Sequence, residues 1–592
     1  MKNRIVVILS CLVFSTFVSA QEAENKQQLK DNWDDFLHYT VIGRFDLAAG
    51  FAQKIIDSNA DPLTLLSLSE DNPSGYGILV KVQASNPDLA PLAAKILDII
   101  EQGRYLRRTD SEIIRDEIKR LSSTVRGKYT AIERLRNSGE YAIPYMIDAL
   151  SDESRKDELP SITTALPEIG KEAVRPLTAS LVMENAAVKA EVIKALGKIG
   201  YPESLGYLKF IAEKDSSEQL RQIAIDSMSQ IDSASVNKSA AELFYALAEN
   251  YYYKAESLRP AAEANFANIW FWDKDGKRLV KEEVDKSYFH ELMTMRCCEW
   301  SLRANPEFGD AISLWLDAFY RLEKTNIAYP KYFGPGHADA MTYATTAGAE
   351  YLHQALARAI KDKDTEISLG IVEALGKNAG EKSLMYRFKT SQPLIDALTY
   401  DDRAVKFSAA IAIALAGPTE KFAESELVVK NLSDALSAAS DADWPKEKAD
   451  AYAARACRAM LKLALTRNKV IDLSGALSSL VSAANDTRED IRLLAIQILV
   501  YLPSPDAQRA IAEVALKEDN EMKIRIAAFN SLADSAKVNA NLLLDEQISR
   551  IYSIVQSTDA NAELRSSAAA AFGSLNLPSK KVKELILNQA KI

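Results

Sequence analysis

The feature that most constrains the fold is a nine-residue pattern that occurs six times. An aliphatic residue is followed by Lys or Arg, a small or aliphatic residue stands four places from the start, and an apolar residue generally stands at eight. Positions spaced by four lie along one side of an α-helix, and proline is absent from every copy. The pattern therefore predicts six helices, each with one buried side. The six copies are VKAEVIKAL (188–196), LRQIAIDSM (220–228), VKFSAAIAI (405–413), IRLLAIQIL (491–499), IRIAAFNSL (524–532) and LRSSAAAAF (564–572).

A second helix is predicted beside most of these. EYAIPYMIDAL follows Gly139 and KEAVRPLTASL follows Gly170, an offset of 31 residues. Glycines Gly197 and Gly200 close KALGKIG, which is typical of a helix end. The unit is thus helix, turn, helix, repeated at roughly 30 to 40 residues, and neighbouring units must stack because neither helix can bury its apolar side alone.

These stretches resemble HEAT repeats of the short bacterial type, with VR..A...L in one helix and A(I/V)..L...L in the next. The resemblance covers about 128–232, 350–436 and 485–590. It implies an α-solenoid, and in the family such arrays mostly bind proteins along a curved surface, while a few members act on bilins or damaged DNA bases. The expected fold class is all-α, with a HEAT-like array interrupted by a tetratricopeptide-like module that carries a β-hairpin.

The segments outside the plain repeat have a different spacing of apolar residues. WDDFLHYTVIGRFDLAAGFAQKII, near the start, is similar to a tetratricopeptide helix pair, and SLRANPEFGDAISLWL resembles a boundary between two such units. The predicted division is a signal peptide (1–20), an N-terminal helical region (21–125), HEAT-like repeats (126–235), an aromatic-rich module (236–345), further repeats (346–436), a loop with connecting helices (437–484) and C-terminal repeats (485–592).

The first twenty residues read as a secretory signal peptide. Lys2 and Arg4 precede an apolar run over 5–18, and VSA ends at Ala20. Lipid attachment at Cys11 is the less favoured alternative, because Ile-Leu-Ser before it fits a lipobox poorly. We expect a mature chain that begins at Gln21 and is soluble in the periplasm or outside the cell.

Charge argues against nucleic acid as a partner. The chain has 82 acidic and 72 basic residues, a net charge of −10, and cleavage after Ala20 would remove only basic ones. The strongest basic cluster is GRYLRR (103–108) with Lys119 and Arg120, and it reads as a solvated helix end. No apolar run after the signal is long enough to predict a membrane span.

The central module holds four of the six tryptophans, and NIWFWDKDGKRLVKEEV predicts a β-hairpin around an Asp-Gly turn. Its aromatic residues predict a compact core first, and an aromatic-lined groove for a partner second. The residues that would line such a groove are Trp270, Trp272, Tyr332, Phe333 and His337.

Sequence motifs predict no catalytic residue, metal or cofactor. Asp273, Asp275 and Glu282 match an EF-hand loop, but Phe271 occupies the first ligand position and cannot bind calcium. Phosphate loops, nucleophile elbows and paired zinc ligands are absent from the sequence.

The sequence therefore predicts an exported, non-enzymatic scaffold or adaptor that binds a protein or polymer on a solenoid surface, with its oligomeric state open. The alternative is an envelope enzyme, hydrolytic or lyase-like, whose site lies in the central aromatic module. A pocket with paired titratable groups near His290 or His337 would favour the enzyme.

Overall fold

A computed structural model describes residues 24–260, 265–330, 333–334, 336–378, 380–438 and 444–589. The predicted signal peptide lies outside these ranges. The chain divides into two compact units. The first runs to Phe289 and includes Arg303–Asn305, and the second comprises His290–Leu302 and the chain from Pro306 onward. The aromatic-rich segment 236–345 therefore belongs partly to each unit.

The first unit is built from short helices and one hairpin. Its first helix, α1, covers 24–41. The helices that follow are α2 (Phe45–Asp57), α3 (Pro62–Asp71), α4 (Pro73–Ser85), α5 (Ala90–Thr109), α6 (Ser111–Arg120), α7 (Val125–Ser138), α8 (Ala142–Ser151), α9 (Leu159–Ala165), α10 (Val174–Ser180), α11 (Ala186–Ile199), α12 (Leu205–Lys214), α13 (Glu218–Ile231) and α14 (Ala240–Tyr252). Short 3₁₀ turns connect several of them, among them Gly139–Tyr141 and Leu166–Ala173.

The second unit is built from helices and connecting loops, with one isolated β-bridge between Phe388 and Ser391 in its described part, and most of helix α15 (Phe289–Ala304) belongs to it. The later helices are α16 (Gly309–Glu323), α17 (Ala340–Ala347), α18 (Ala349–Lys361), α19 (Thr365–Asn378), α20 (Glu381–Leu384), α21 (Pro393–Asp396), α22 (Arg403–Ala416), α23 (Ser425–Leu436), α24 (Lys446–Thr466), α25 (Leu477–Ala483), α26 (Glu489–Leu499), α27 (Pro505–Leu516), α28 (Met522–Asn539), α29 (Asp545–Gln556), α30 (Ala562–Ser574) and α31 (Ser579–Gln589). The predicted all-α class is confirmed.

All six copies of the repeated pattern are α-helical. In four of them the N-cap side chain accepts a hydrogen bond from the backbone N–H of the pattern's first residue, which fixes where the helix begins. The N-cap residues are Asn185, Ser217, Asp402 and Asn561. The small residues Ala224, Ala528 and Ala568, four places into the pattern, are fully buried as predicted.

The pattern helices stack on one another, and so do their partners. In the first unit α11 packs on α13 while α12 packs on α14. In the second unit α22, α24, α26, α28 and α30 form one layer, and α23, α25, α27 and α29 form the other. Two layers of helices with contacts mainly between neighbours are the packing of a helical repeat array.

Gly197 and Gly200 have different roles, although both were predicted to end a helix. Gly200 is the left-handed residue (φ 77°) that ends α11. Gly197 lies inside the helix, and a Cβ there would come within 2.8 Å of the Ser227 Cβ on α13. The prediction is therefore wrong for Gly197, whose missing side chain instead lets two pattern helices approach closely.

The predicted hairpin is present as a two-stranded antiparallel sheet of β1 (Phe266–Asp273) and β2 (Arg278–Asp285). Trp270 pairs with Lys281, and the Asp273 carboxylate accepts from the backbone N–H groups of Asp275 and Gly276 in the turn. The hairpin packs on α8 and α10. A two-stranded hairpin is not stable alone, so these helices supply the apolar surface that it needs.

Within the described ranges, no helix is both long and apolar enough to cross a membrane.

Candidate functional site

The first unit contains a cavity of about 1000 Å³ between α5, α6, α7, the turn Gly139–Tyr141 and strand β1. We call it the Arg–carboxylate cavity, because charged side chains of both signs dominate its wall. The arginines are Arg104, Arg107, Arg108, Arg120, Arg134 and Arg175, and the acidic residues are Glu70, Asp98, Glu101, Asp116, Glu117 and Glu140.

Local structure explains why arginines meet at this place. Helix α5 carries Arg107 and Arg108 in its last turn, where cations interact favourably with the helix dipole. Helix α6 follows at once, because Asp110 accepts hydrogen bonds from the backbone N–H groups of Glu112 and Ile113 and so caps it. The basic end of α5 is thereby held at the edge of the cavity.

The hairpin contributes one wall through a buried hydrogen-bond network around Glu140. The two carboxylate oxygens of Glu140 accept from Asn268 Nδ2 (2.7 Å) and from Trp270 Nε1 (2.8 Å). Asn268 Nδ2 also donates to the Tyr141 hydroxyl at 2.8 Å. Burial raises the pKa of Tyr141, which keeps the phenol protonated. The network fixes strand β1 against the 139–141 turn.

Arg108 reaches over this turn. Its Nη2 donates to Glu172 at 2.8 Å, and its guanidinium lies 5.3 Å from the centre of the Tyr141 ring. Gly139 (φ 57°) makes room for the pair, since a Cβ there would contact both the Glu172 carboxylate and Arg108 Nη2. Gly139 thus adopts the left-handed conformation of the turn and also leaves the space that Arg108 occupies.

Glu117 holds two arginines from different helices. One of its oxygens, Oε1, accepts from Arg120 Nη1 at 2.9 Å and from Arg134 Nη1 at 2.6 Å. The glutamate is buried, while both arginines are more than half exposed. The two guanidinium groups therefore stand next to each other in the cavity wall.

Three buried polar atoms of cavity residues have no hydrogen-bond partner among the residues that the structure describes: Arg108 Nε, Glu117 Oε2 and Arg175 Nη1. Arg175 is only loosely paired, at 3.9 Å from Glu140, and lies 5.2 Å from the Phe289 ring. Burial by itself acts to lower the pKa of Arg175, but the acidic groups around it, Glu140 foremost, outweigh burial and raise the pKa. Unsatisfied buried groups of this kind are uncommon in folded proteins.

The cavity also has an apolar side. Leu106 and Ile113 line it and are exposed, and the Tyr105 ring meets the Phe266 ring edge-on at 5.6 Å. The Tyr105 hydroxyl donates to Glu283 on β2 at 3.2 Å. Aliphatic, aromatic and charged groups are therefore combined in one concave surface, as in sites that bind peptides or other organic ligands.

The residues predicted as a partner-binding groove lie in different places. Trp270 is buried in the core of the first unit, and Trp272 is partly buried against the same core. In the second unit Phe333 stacks on Phe319 of α16 at 5.5 Å and contacts His337 at 5.3 Å. Tyr332 lies outside the described residues. A partner-binding role for these residues stays a prediction, and neither His290 nor His337 lines the Arg–carboxylate cavity.

The GRYLRR cluster was predicted to be a solvated helix end, whereas the structure places its arginines in the wall of this cavity. Arg104, Arg107 and Arg108 belong to the GRYLRR cluster and indeed end helix α5, yet they line a cavity together with Arg120 instead of only facing solvent. The acidic residues gave no usable signal, because carboxylates are common on helices throughout the chain. Within the described ranges no group of three or more His, Cys, Asp or Glu residues is placed to hold a metal ion.

Comparison with known proteins supports the repeat assignment. The family model for HEAT repeats matches residues 143–229, which extend from α8 to α13. No curated protein matches the sequence.

Several solved structures align over most of the chain at low similarity. Importin beta aligns with a TM-score of 0.30 and 13% identity over 95% of this chain and 73% of that one. Kap95p, from a structure that describes its binding to RanGDP, has a TM-score of 0.28 and 14% identity over 96% and 70%. Uso1 has a TM-score of 0.26 and 12% identity over 92% and 85%. The family match shows HEAT repeats over residues 143–229, and the two stacked helix layers are those of an α-solenoid.

Proposed function

We propose that this protein is a non-enzymatic scaffold that holds another protein by a short segment bound in the Arg–carboxylate cavity. The HEAT-like solenoid fold is consistent with a protein-interaction scaffold. The observation that carries the proposal is the cavity itself, in which charged groups of both signs, exposed aliphatic side chains and three unsatisfied buried polar atoms share one concave surface.

The chemistry of the wall favours a protein segment as the ligand. A peptide supplies backbone donors and acceptors together with side chains of both signs, and the wall offers partners for each of these. Six arginines accompanied by six acidic residues make no single-sign basic face, which is what a nucleic-acid backbone needs. A volume of about 1000 Å³ is at the upper end for small-ligand pockets and accommodates several residues of a peptide.

Site-specific photo-crosslinking tests the proposal. A photoreactive amino acid in place of Leu106, an exposed residue that lines the cavity, should form an adduct with a discrete protein in the native host. Mass spectrometry of the adduct should map it to one contiguous segment of that protein, and the synthetic segment should then bind the purified chain and compete with crosslinking.

The matched control places the same group at Val182, an exposed aliphatic residue of the first unit that does not line the cavity. It should give no adduct with that protein. The same adducts from both positions, or none from Leu106, would refute a binding role for the cavity.

Export is the second part of the proposal. The basic start, apolar run and VSA site at residues 1–20 support it. N-terminal sequencing of the protein from its native host should find a mature chain that begins at Gln21. A chain that keeps Met1, or one that begins at a lipid-modified Cys11, would contradict this cleavage.

A further inference from the structure

The cavity wall contains a pair of arginines that a single buried carboxylate holds side by side. We propose that this pair, Arg120 and Arg134 on Glu117, binds an acidic side chain of the partner segment. The inference rests on the proposed function, because it names the chemistry of the segment that the cavity would accept.

The geometry leaves both arginines available to a ligand. Each uses one nitrogen, Nη1, for the same oxygen of Glu117, at 2.9 and 2.6 Å. A guanidinium has five N–H donors in a planar fork, so most of the donors of both groups are not used by Glu117. The Arg120 and Arg134 side chains are 55% and 54% exposed, whereas the Glu117 side chain is 5% exposed.

Glu117 positions the arginines and does not neutralise them. One carboxylate beside two guanidinium groups leaves a local excess of one positive charge. The nearby Asp116 does not cancel it, because its carboxylate pairs with Lys119 at 3.0 Å. A ligand carboxylate carries the one negative charge that balances this excess, and it can accept parallel hydrogen bonds from a guanidinium fork. A phosphorylated side chain carries nearly two negative charges, which is more than the single positive charge in excess here.

Apolar side chains lie in the cavity wall close to the arginine pair. Ile113 precedes Glu117 by four residues on α6, so the two lie on the same face of the helix one turn apart. Ile113 lines the cavity and is exposed, and so is Leu106 on α5. The segment that fits this wall has an aspartate or glutamate next to aliphatic residues.

Defined peptides test the inference. The probes are capped, fluorescein-labelled nonapeptides of alternating serine and leucine with glutamate, glutamine, phosphoserine or lysine at the centre. Fluorescence polarisation at low salt should show that the glutamate peptide binds residues 21–592 at least about tenfold more tightly than the glutamine peptide, as expected for hydrogen bonds between charged groups. The phosphoserine peptide should bind no more tightly than the glutamate peptide.

Variants connect the preference to the arginine pair. Arg134→Met and Arg120→Met should each remove the preference for glutamate, and Arg134→Lys should restore only part of it because lysine lacks the planar fork. The control is Arg136→Met on the same helix, since Arg136 is a similarly exposed, ion-paired arginine outside the cavity and its loss should leave the preference unchanged. Circular dichroism confirms that each variant is folded.

The outcomes separate this inference from the proposed function. Equal affinity for the glutamate and glutamine peptides, or a preference for glutamate that survives both methionine variants, overturns the inference. The proposed function is tested separately, by crosslinking from Leu106. Tighter binding of phosphoserine overturns the assignment to a carboxylate. Failure of the glutamate peptide to bind at all also overturns it.

Discussion

Substituting Asp317 with alanine should lower the free energy of unfolding of the second unit by about 3–5 kcal/mol at pH 8. Asp317 lies on α16, is fully buried, and accepts a hydrogen bond from Arg358 Nη1 on α18 at 2.9 Å. The alanine variant removes the carboxylate and leaves the mostly buried guanidinium without it. Hydrogen exchange across 309–361 and denaturant unfolding measure the loss.

Two further variants distinguish charge from volume. The double variant Asp317→Leu with Arg358→Met keeps apolar volume and buries no charge, so it should be clearly more stable than Asp317→Ala. If Asp317→Ala and the double variant unfold at the same denaturant concentration as the wild type, the ion pair contributes nothing to stability and the prediction is wrong.

The same carboxyl should make stability depend on pH. Burial raises the pKa of Asp317 to about 7, even with Arg358 beside it. The folded unit then retains a proton that the unfolded chain releases above about pH 4. The contribution of Asp317 to the free energy of unfolding should therefore decrease as the pH rises from about 4 to about 7, and this slope should be absent from Asp317→Asn.

Trp270→Ala should destabilise the first unit by about 3–5 kcal/mol. The Trp270 side chain is buried in the core under the hairpin, with 4% of the residue exposed, and its indole N–H donates to Glu140 at 2.8 Å. The substitution creates a cavity and also deprives a buried carboxylate of a donor. Denaturant unfolding, together with hydrogen exchange over 125–285, should show the hairpin opening first.

Comparison variants separate packing from hydrogen bonding. Trp270→Phe retains most of the apolar contact but loses the donor to Glu140, which should cost about 1–3 kcal/mol. Trp272→Ala should cost less than Trp270→Ala, because Trp272 is only partly buried. A larger loss at Trp272 than at Trp270 would mean that the core under the hairpin does not depend on Trp270.

The repeat could be predicted because its causes are local. The side chains at 188, 192 and 196 share a helix face through the 3.6-residue period, and the side chain of Asn185 caps that helix within three residues. The hairpin was equally local, since Asp275-Gly276 closes a turn between two alternating strands. Gly197 shows the limit of such reasoning. Its place in the sequence indicated a helix end, whereas its function is to let α11 approach Ser227.

The amino-acid sequence by itself determined that this chain forms paired helices that must stack, and that an aromatic segment carries a hairpin. The tertiary structure alone decided that Arg108, Glu117, Arg134, Arg175 and Asn268, which are spread over five elements, line one cavity. The physical reason is the range of the interactions. Helix period, caps and turns act within a few residues, whereas the cavity depends on the angles at which successive helices pack and on where the hairpin docks, and no spacing along the sequence encodes these.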